Sequence, residues 1–148
     1  MKRIKCFLLE PTEKTIPREV FNDDGKKIAD TEDTVWRRTD TGEEFRLQER
    51  PVGAMWFAPW YDGAYCQPQL DHVLVVHTPG GVWVVDSQAS NCTMPEDHKQ
   101  ENHHCWIIEG QLPNITVSKN GKTCGAGAGS IQCGNYHGFL RNGYLEEC

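Results

Sequence analysis

The sequence has no block of basic residues. Its densest basic groups, Lys2-Arg3-Lys5, Lys26-Lys27 and Arg37-Arg38, are short and flanked by acids, and the formal net charge is −6. Counterion release from nucleic-acid phosphates needs clustered Lys and Arg, so bulk binding to DNA or RNA is not expected. Long apolar runs are also missing. Cys6-Phe7-Leu8-Leu9 is stopped by Glu10-Pro11, too short for a membrane span or the apolar region of an export signal. An intracellular protein follows as the expectation, with its seven cysteines reduced rather than paired. Gly or Pro interrupts almost every window of helical length, which argues against long helices.

Several motifs are absent too. No Cys-x₂-Cys knuckle occurs, no Gly-Lys-Ser/Thr closes the glycine loop, and no Gly-x-Ser-x-Gly elbow is present. A knuckle zinc finger, a Walker phosphate loop and an α/β-hydrolase nucleophile are thereby excluded. No repeat of fixed period and no linker divides the chain.

What is present favours strands. With 148 residues, 14 Gly, 8 Pro and 5 Trp, the composition fits one compact, loop-rich, mainly β domain. The strongest unit is His72-Val73-Leu74-Val75-Val76-His77, then Thr78-Pro79-Gly80-Gly81, then Val82-Trp83-Val84-Val85-Asp86. Two β-branched runs around a Pro-Gly-Gly turn predict a central hairpin over 72–86. Ile4–Leu9 reads as a first strand. Residues 10–33 read as a polar segment, mobile in part, which Val20, Phe21 and Ile28 could anchor. Thr34–Arg38 and Glu44–Leu47 read as a hairpin with Gly42 in the left-handed conformation. Pro51–Tyr61 packs four large aromatics into a short space, either as core or as a face for a ring or base. Cys105–Ile108 ended by Glu109-Gly110, Asn114–Val117 and Tyr136–Leu140 complete the strands, with Arg141-Asn142-Gly143 as a turn before Tyr144-Leu145.

The candidate site is the stretch His103–Gly143. Cys92, Cys105, Cys124 and His137, with His103 and Cys133 as alternates, are ligand types that suit zinc in a closed structural site. Reduced cysteines acting as small buried hydrophobes are the other reading. The loop around Gly127, Gly129 and Ser130 could form an anion-binding nest of backbone N–H groups, or serve only for close backbone packing. For nucleophilic catalysis, Ser130 or Cys133 would attack with His137 as base, oriented by Asp86 or Glu109. The ligand-binding set is Gly127, Gly129, Ser130, Tyr136 and His137, and the catalytic candidates are His137 and Ser130.

Gly53-Ala54-Met55-Trp56, Trp83-Val84-Val85-Asp86, Cys105-Trp106, Pro113–Val117, Ser130-Ile131 and Tyr136-His137-Gly138-Phe139-Leu140 stand in an order that resembles a group of small proteins of unknown function encoded by tailed bacteriophages and prophages. The similarity spans roughly residues 34–145, and the YHGFL-type ending is its most specific part. Distant members have no cysteines at the positions of Cys92 and Cys124, so the resemblance implies that zinc is not essential to the fold. It also implies a phage gene product acting in the bacterial host cytoplasm or in the virion. The expected function is a phage accessory protein that binds a host protein, a small anionic ligand or another phage component, without catalysis and without a membrane. The alternative is a metal-dependent hydrolase or nucleotide-modifying enzyme using His103, Cys105, Cys124 and His137.

Overall fold

In a computed structural model the protein is mostly β, and the structure describes residues 3–61, 70, 72–85, 106–118 and 129–148. The described strands are β1 (Arg3–Lys5), β2 (Phe7–Phe21), β3 (Lys27–Arg38), β4 (Glu44–Arg46), β5 (Ala54–Phe57), β6 (Leu74–Thr78), β7 (Gly81–Val84), β8 (Ile107–Gln111), β9 (Asn114–Ser118), β10 (Ile131–Cys133), β11 (Tyr136–Arg141) and β12 (Tyr144–Glu147). They form two sheets. The first has the order β4-β3-β2-β5-β6-β7, and the second β1-β12-β11-β9-β8, with β10 also paired to β11. Pairing is antiparallel except between β2 and β5.

The expected first strand is two strands. β1 pairs with β12 in the second sheet, and β2 pairs with β5 in the first. Cys6 marks the crossing, where its backbone N–H donates to Gly143 O and the Phe7 N–H donates to Gly53 O. One short segment thus stitches the two sheets together, and Cys6 is buried at the seam.

The 72–86 hairpin forms as expected, with β6 and β7 in register from Val75–Val84 to Thr78–Gly81. Its apolar character on both faces has a direct cause. Successive strand residues point to opposite sides, and β6 serves a different core on each. Leu74 and Val76 join Met55, Trp83, Ile108, Ile115, Val117, Ile131, Leu140 and Leu145 between the sheets. Val73 and Val75 join Phe7, Leu9, Ala54 and Trp56 on the far side of the first sheet. Trp83 meets Trp106 edge-on across the sandwich, with ring centroids 5.2 Å apart. The aromatic run after Gly53 divides accordingly: Trp56 belongs to the core, whereas Trp60 is 63% exposed.

Residues 10–33, which carry no strand signal in the sequence, belong largely to strands: β2 runs through Pro11 and Pro17, and its hairpin partner β3 returns from Lys27. Both prolines are tolerated because β5 pairs only with Phe7 and Leu8, so that among the described residues this edge has no partner strand beyond them. On the other edge β4 reaches only Val35–Arg37. Among the described residues, the hairpin from Thr15 to Thr34 is therefore a two-stranded ribbon. Phe21 and Ile28, expected as anchors, are 53% and 60% exposed near its tip.

Glu109-Gly110 does not end its strand, because β8 continues to Gln111. A Cβ on Gly110 would lie 2.6 Å from Asn114 O, and its φ is +92°. Glycine is therefore needed for the hairpin to close. Asn142 and Gly143, at φ 50° and 76°, make the two-residue turn between β11 and β12 that an Asn-Gly pair favours.

Candidate functional site

β11 carries the sequence Tyr-His-Gly-Phe-Leu-Arg, and its period of two sorts these side chains onto two faces. Tyr136, Gly138 and Leu140 face the core, while His137, Phe139 and Arg141 face outward. The inward set explains the spacing of the motif. The Tyr136 ring lies over Gly138, where an added Cβ would fall 2.5 Å from its hydroxyl and against Glu146 O. The Tyr136 hydroxyl donates to Phe139 O at 3.3 Å. Burial, helped by charge at Cys148, pushes that hydroxyl up to about 12, so it remains a neutral donor. Tyr136, expected in the ligand-binding set, is 3% exposed and supports the outer face from behind.

The outer face collects residues from distant parts of the chain. His137 Nε2 and Ser130 Oγ lie 3.1 Å apart, so the two residues paired from sequence do meet. Gly129, buried at φ 86°, precedes Ser130 in a conformation that only glycine adopts without strain. Along the same face Arg141 stacks over Phe139 at 3.9 Å, and Arg3 stacks over Tyr144 at 4.1 Å. Lys5, Tyr144 and Arg141 form one row across β1, β12 and β11, and Arg3, Glu146 and Phe139 form the next. No salt bridge among the described residues engages Arg3, Lys5 or Arg141. Three cations, one carboxylate (Glu146), two aromatic rings and a Ser–His pair therefore share one solvent-facing surface.

Cys133 is on the other side. Its thiol donates to Val82 O of the first sheet at 3.5 Å, pointing into the sandwich. Cys133 and His137 thus occupy opposite faces of one sheet and do not combine in one site, which removes the Cys133–His137 nucleophile pair. Glu109, the candidate orienting group, does not serve His137 either. It pairs with Thr116 on β9, and the Val117–Leu140 register sets Thr116 beside Arg141, four residues along β11 from His137. Among the described residues no carboxylate hydrogen-bonds His137, and no group of three metal-ligating side chains occurs. The remaining candidates, Asp86, Cys92, His103, Cys105, Cys124 and Gly127, lie outside the described residues.

Close glycine packing occurs among the described residues at two turns, while residues 125–128 of the glycine loop lie outside them. The turn between β6 and β7 interlocks with the turn between β10 and β11. A Cβ on Gly80 would strike Cys133 O, and one on Gly134 would strike Gly80 O. These contacts hold β10, and with it Ser130, against the first sheet. Cys6 fits the reading of cysteine as a buried hydrophobe: burial pushes its thiol up to about 12.

Sequence reasoning missed Arg3, Lys5, Arg141 and Tyr144. Their signal is alternation: Arg3 and Lys5 flank Ile4, and Tyr144 precedes Leu145, so each apolar residue marks the inner face and its neighbours the outer. Among the described residues no helix is long and apolar enough to cross a membrane. Comparison with protein-family models, curated proteins and solved structures found no match.

Proposed function

We propose that this protein is a phage accessory protein that acts by binding, without catalysis, and that its binding face is the outer side of the second sheet. The observation that carries this reading is the row Lys5–Tyr144–Arg141, with Arg3 stacked on Tyr144 and the His137–Ser130 pair close by. Unpaired guanidinium groups beside aromatic rings suit an anionic group joined to a flat or apolar one. A small anionic ligand, or an acidic segment of a host or phage protein, has that chemistry. His137 and Ser130 add hydrogen-bonding capacity at the edge, and among the described residues no carboxylate hydrogen-bonds the histidine. The setting implied by the resemblance is the bacterial host cytoplasm, with the virion as the other location.

Titration of isotope-labelled protein with pyrophosphate and with a nucleoside diphosphate tests the reading. Amide shifts are expected at His137, Phe139, Arg141 and Tyr144, and Arg141→Ala should weaken binding by about tenfold. Turnover of phosphoesters or peptides that disappears in His137→Ala would instead make the protein an enzyme.

A further inference from the structure

The ribbon is the one part of the described structure that stands without cover. An isolated two-stranded hairpin is marginally stable in water. Three of the five exposed large hydrophobic residues among the described ones, Ile16, Phe21 and Ile28, lie on it. Its edges are poor templates for an added strand. Pro11 and Pro17 interrupt the donors of β2, and Asp30, Glu32 and Asp33 line β3. Docking must therefore use side chains.

The charge of the ribbon defines what it fits. Residues 15–34 hold six Asp or Glu against three Lys or Arg. Arg18 and Lys27 are taken up in ion pairs with Asp33 and Asp30. Among the described residues, Asp23, Asp24 and Glu32 are exposed and have no ion pair, and Lys26 is the only ribbon cation in the same condition. An apolar tip with surplus carboxylates is the complement of a surface with unpaired cations and partly exposed aromatic rings. The chain carries such a surface on its second sheet, where Arg3, Lys5 and Arg141 outnumber the one carboxylate of the same two rows, Glu146, beside the rings of Phe139 and Tyr144.

We propose that two copies of this chain exchange ribbons, each laying its acidic, apolar-tipped arm on the outer face of the other's second sheet. The proposal rests on the reading of that face as the binding face, and names its occupant. Because each copy holds both halves of the contact, a two-fold arrangement closes with two equivalent interfaces and leaves no free arm. Phe21 and Ile28 would supply the buried anchors, and the unpaired carboxylates the register.

Sedimentation equilibrium of the full chain across a concentration series tests this. The expected result is a dimer that weakens with added salt. Phe21→Asp with Ile28→Asp, and separately Lys5→Glu with Arg141→Glu, should each raise its dissociation constant by about tenfold or more. Mixing the two variants should give a heterodimer, because one intact arm meets one intact face. Circular dichroism and thermal midpoints close to wild type would show that all variants fold, since the changed side chains are exposed. A monomer at every concentration overturns the proposal, as does a dimer lost in the ribbon variant but untouched in the face variant. A monomer whose His137 and Arg141 amides still respond to pyrophosphate overturns the exchange and leaves the binding face standing. A dimer formed through the face that ignores pyrophosphate overturns the small-anion form of that reading and supports the exchange.

Discussion

The ribbon and the sandwich are built from the same secondary structure and held by opposite means. In the sandwich, backbones approach until no Cβ fits between them, as at Gly80 and Gly134, and fully buried aliphatic side chains fill the remaining space. In the ribbon, Arg18 reaches Asp33 at 2.9 Å, Gln48 adds a hydrogen bond to the same carboxylate, and Lys27 bridges to Asp30 at 2.8 Å, all near solvent. Exposed ion pairs contribute little each, whereas buried apolar contacts contribute several times more. The comparison teaches that strand content alone does not locate stability. The sandwich carries the fold, and the ribbon is carried by it.

The largest test of this contrast is Leu140→Ala. Leu140 is fully buried between the sheets, so its truncation should destabilise by about 3 kcal/mol from lost burial and the cavity left behind, read from the denaturation midpoint. Gly134→Ala should follow at about 2 kcal/mol, because the new methyl must push Gly80 away and the φ of +57° disfavours any side chain. An unchanged midpoint in Leu140→Ala would mean that core packing does not carry the fold, and one in Gly134→Ala that the interlocked turns are not what joins the sheets. Acidification gives a smaller effect with a defined sign. Burial first, then the charge of Arg50, lowers the pKa of His77, whose Nδ1 lies 3.2 Å from Pro51 O. The unfolded chain therefore takes up the proton more readily than the folded one. The contribution of His77 is complete above its ordinary value of 6.5 and is lost as pH falls through the lower folded value. Chemical denaturation at neutral and mildly acidic pH should show this loss, and His77→Gln should flatten it. Arg18→Ala, at the far end of the scale, should leave the global midpoint within error while the amides of residues 15–21 and 27–34 exchange faster. A global loss there would place the ribbon inside the cooperative core.

Much of this contrast is legible in the sequence, and the exceptions have physical causes. The 72–86 hairpin announces itself because Val, Leu and Trp serve two cores at once. β9 and β11 are readable because one face alternates into the core, and Asn142-Gly143 is readable because only such residues take both left-handed positions cheaply. The ribbon is not readable, since hydrophobic alternation is the signal for a strand and a ribbon outside the core has no buried face to create it. β10 is too short to show any period, yet its three residues fix Ser130 against β11. Ser130 and Cys133 are both candidates for His137 in the sequence, and only the fold, which puts Cys133 on the opposite face, separates them. The cationic row is not readable, because Lys5 and Arg141 are separated by almost the whole chain and meet only through the register of β1 with β12.

That register also orders events in time during synthesis. β1 is made first, but its partner β12 spans Tyr144–Glu147, so the edge of the second sheet stays open until those residues emerge. Through that interval Cys6 has neither Gly143 O to accept its N–H nor Leu145 to cover its side chain. Its thiol then has the ordinary reactivity of an exposed cysteine, and loses it once the chain folds. Modification of Cys6 is therefore a record of how long the nascent chain waited. A thiol label applied to stalled ribosome complexes and mapped by peptide mass would mark Cys6 in chains truncated before residue 144 and spare it in the finished fold.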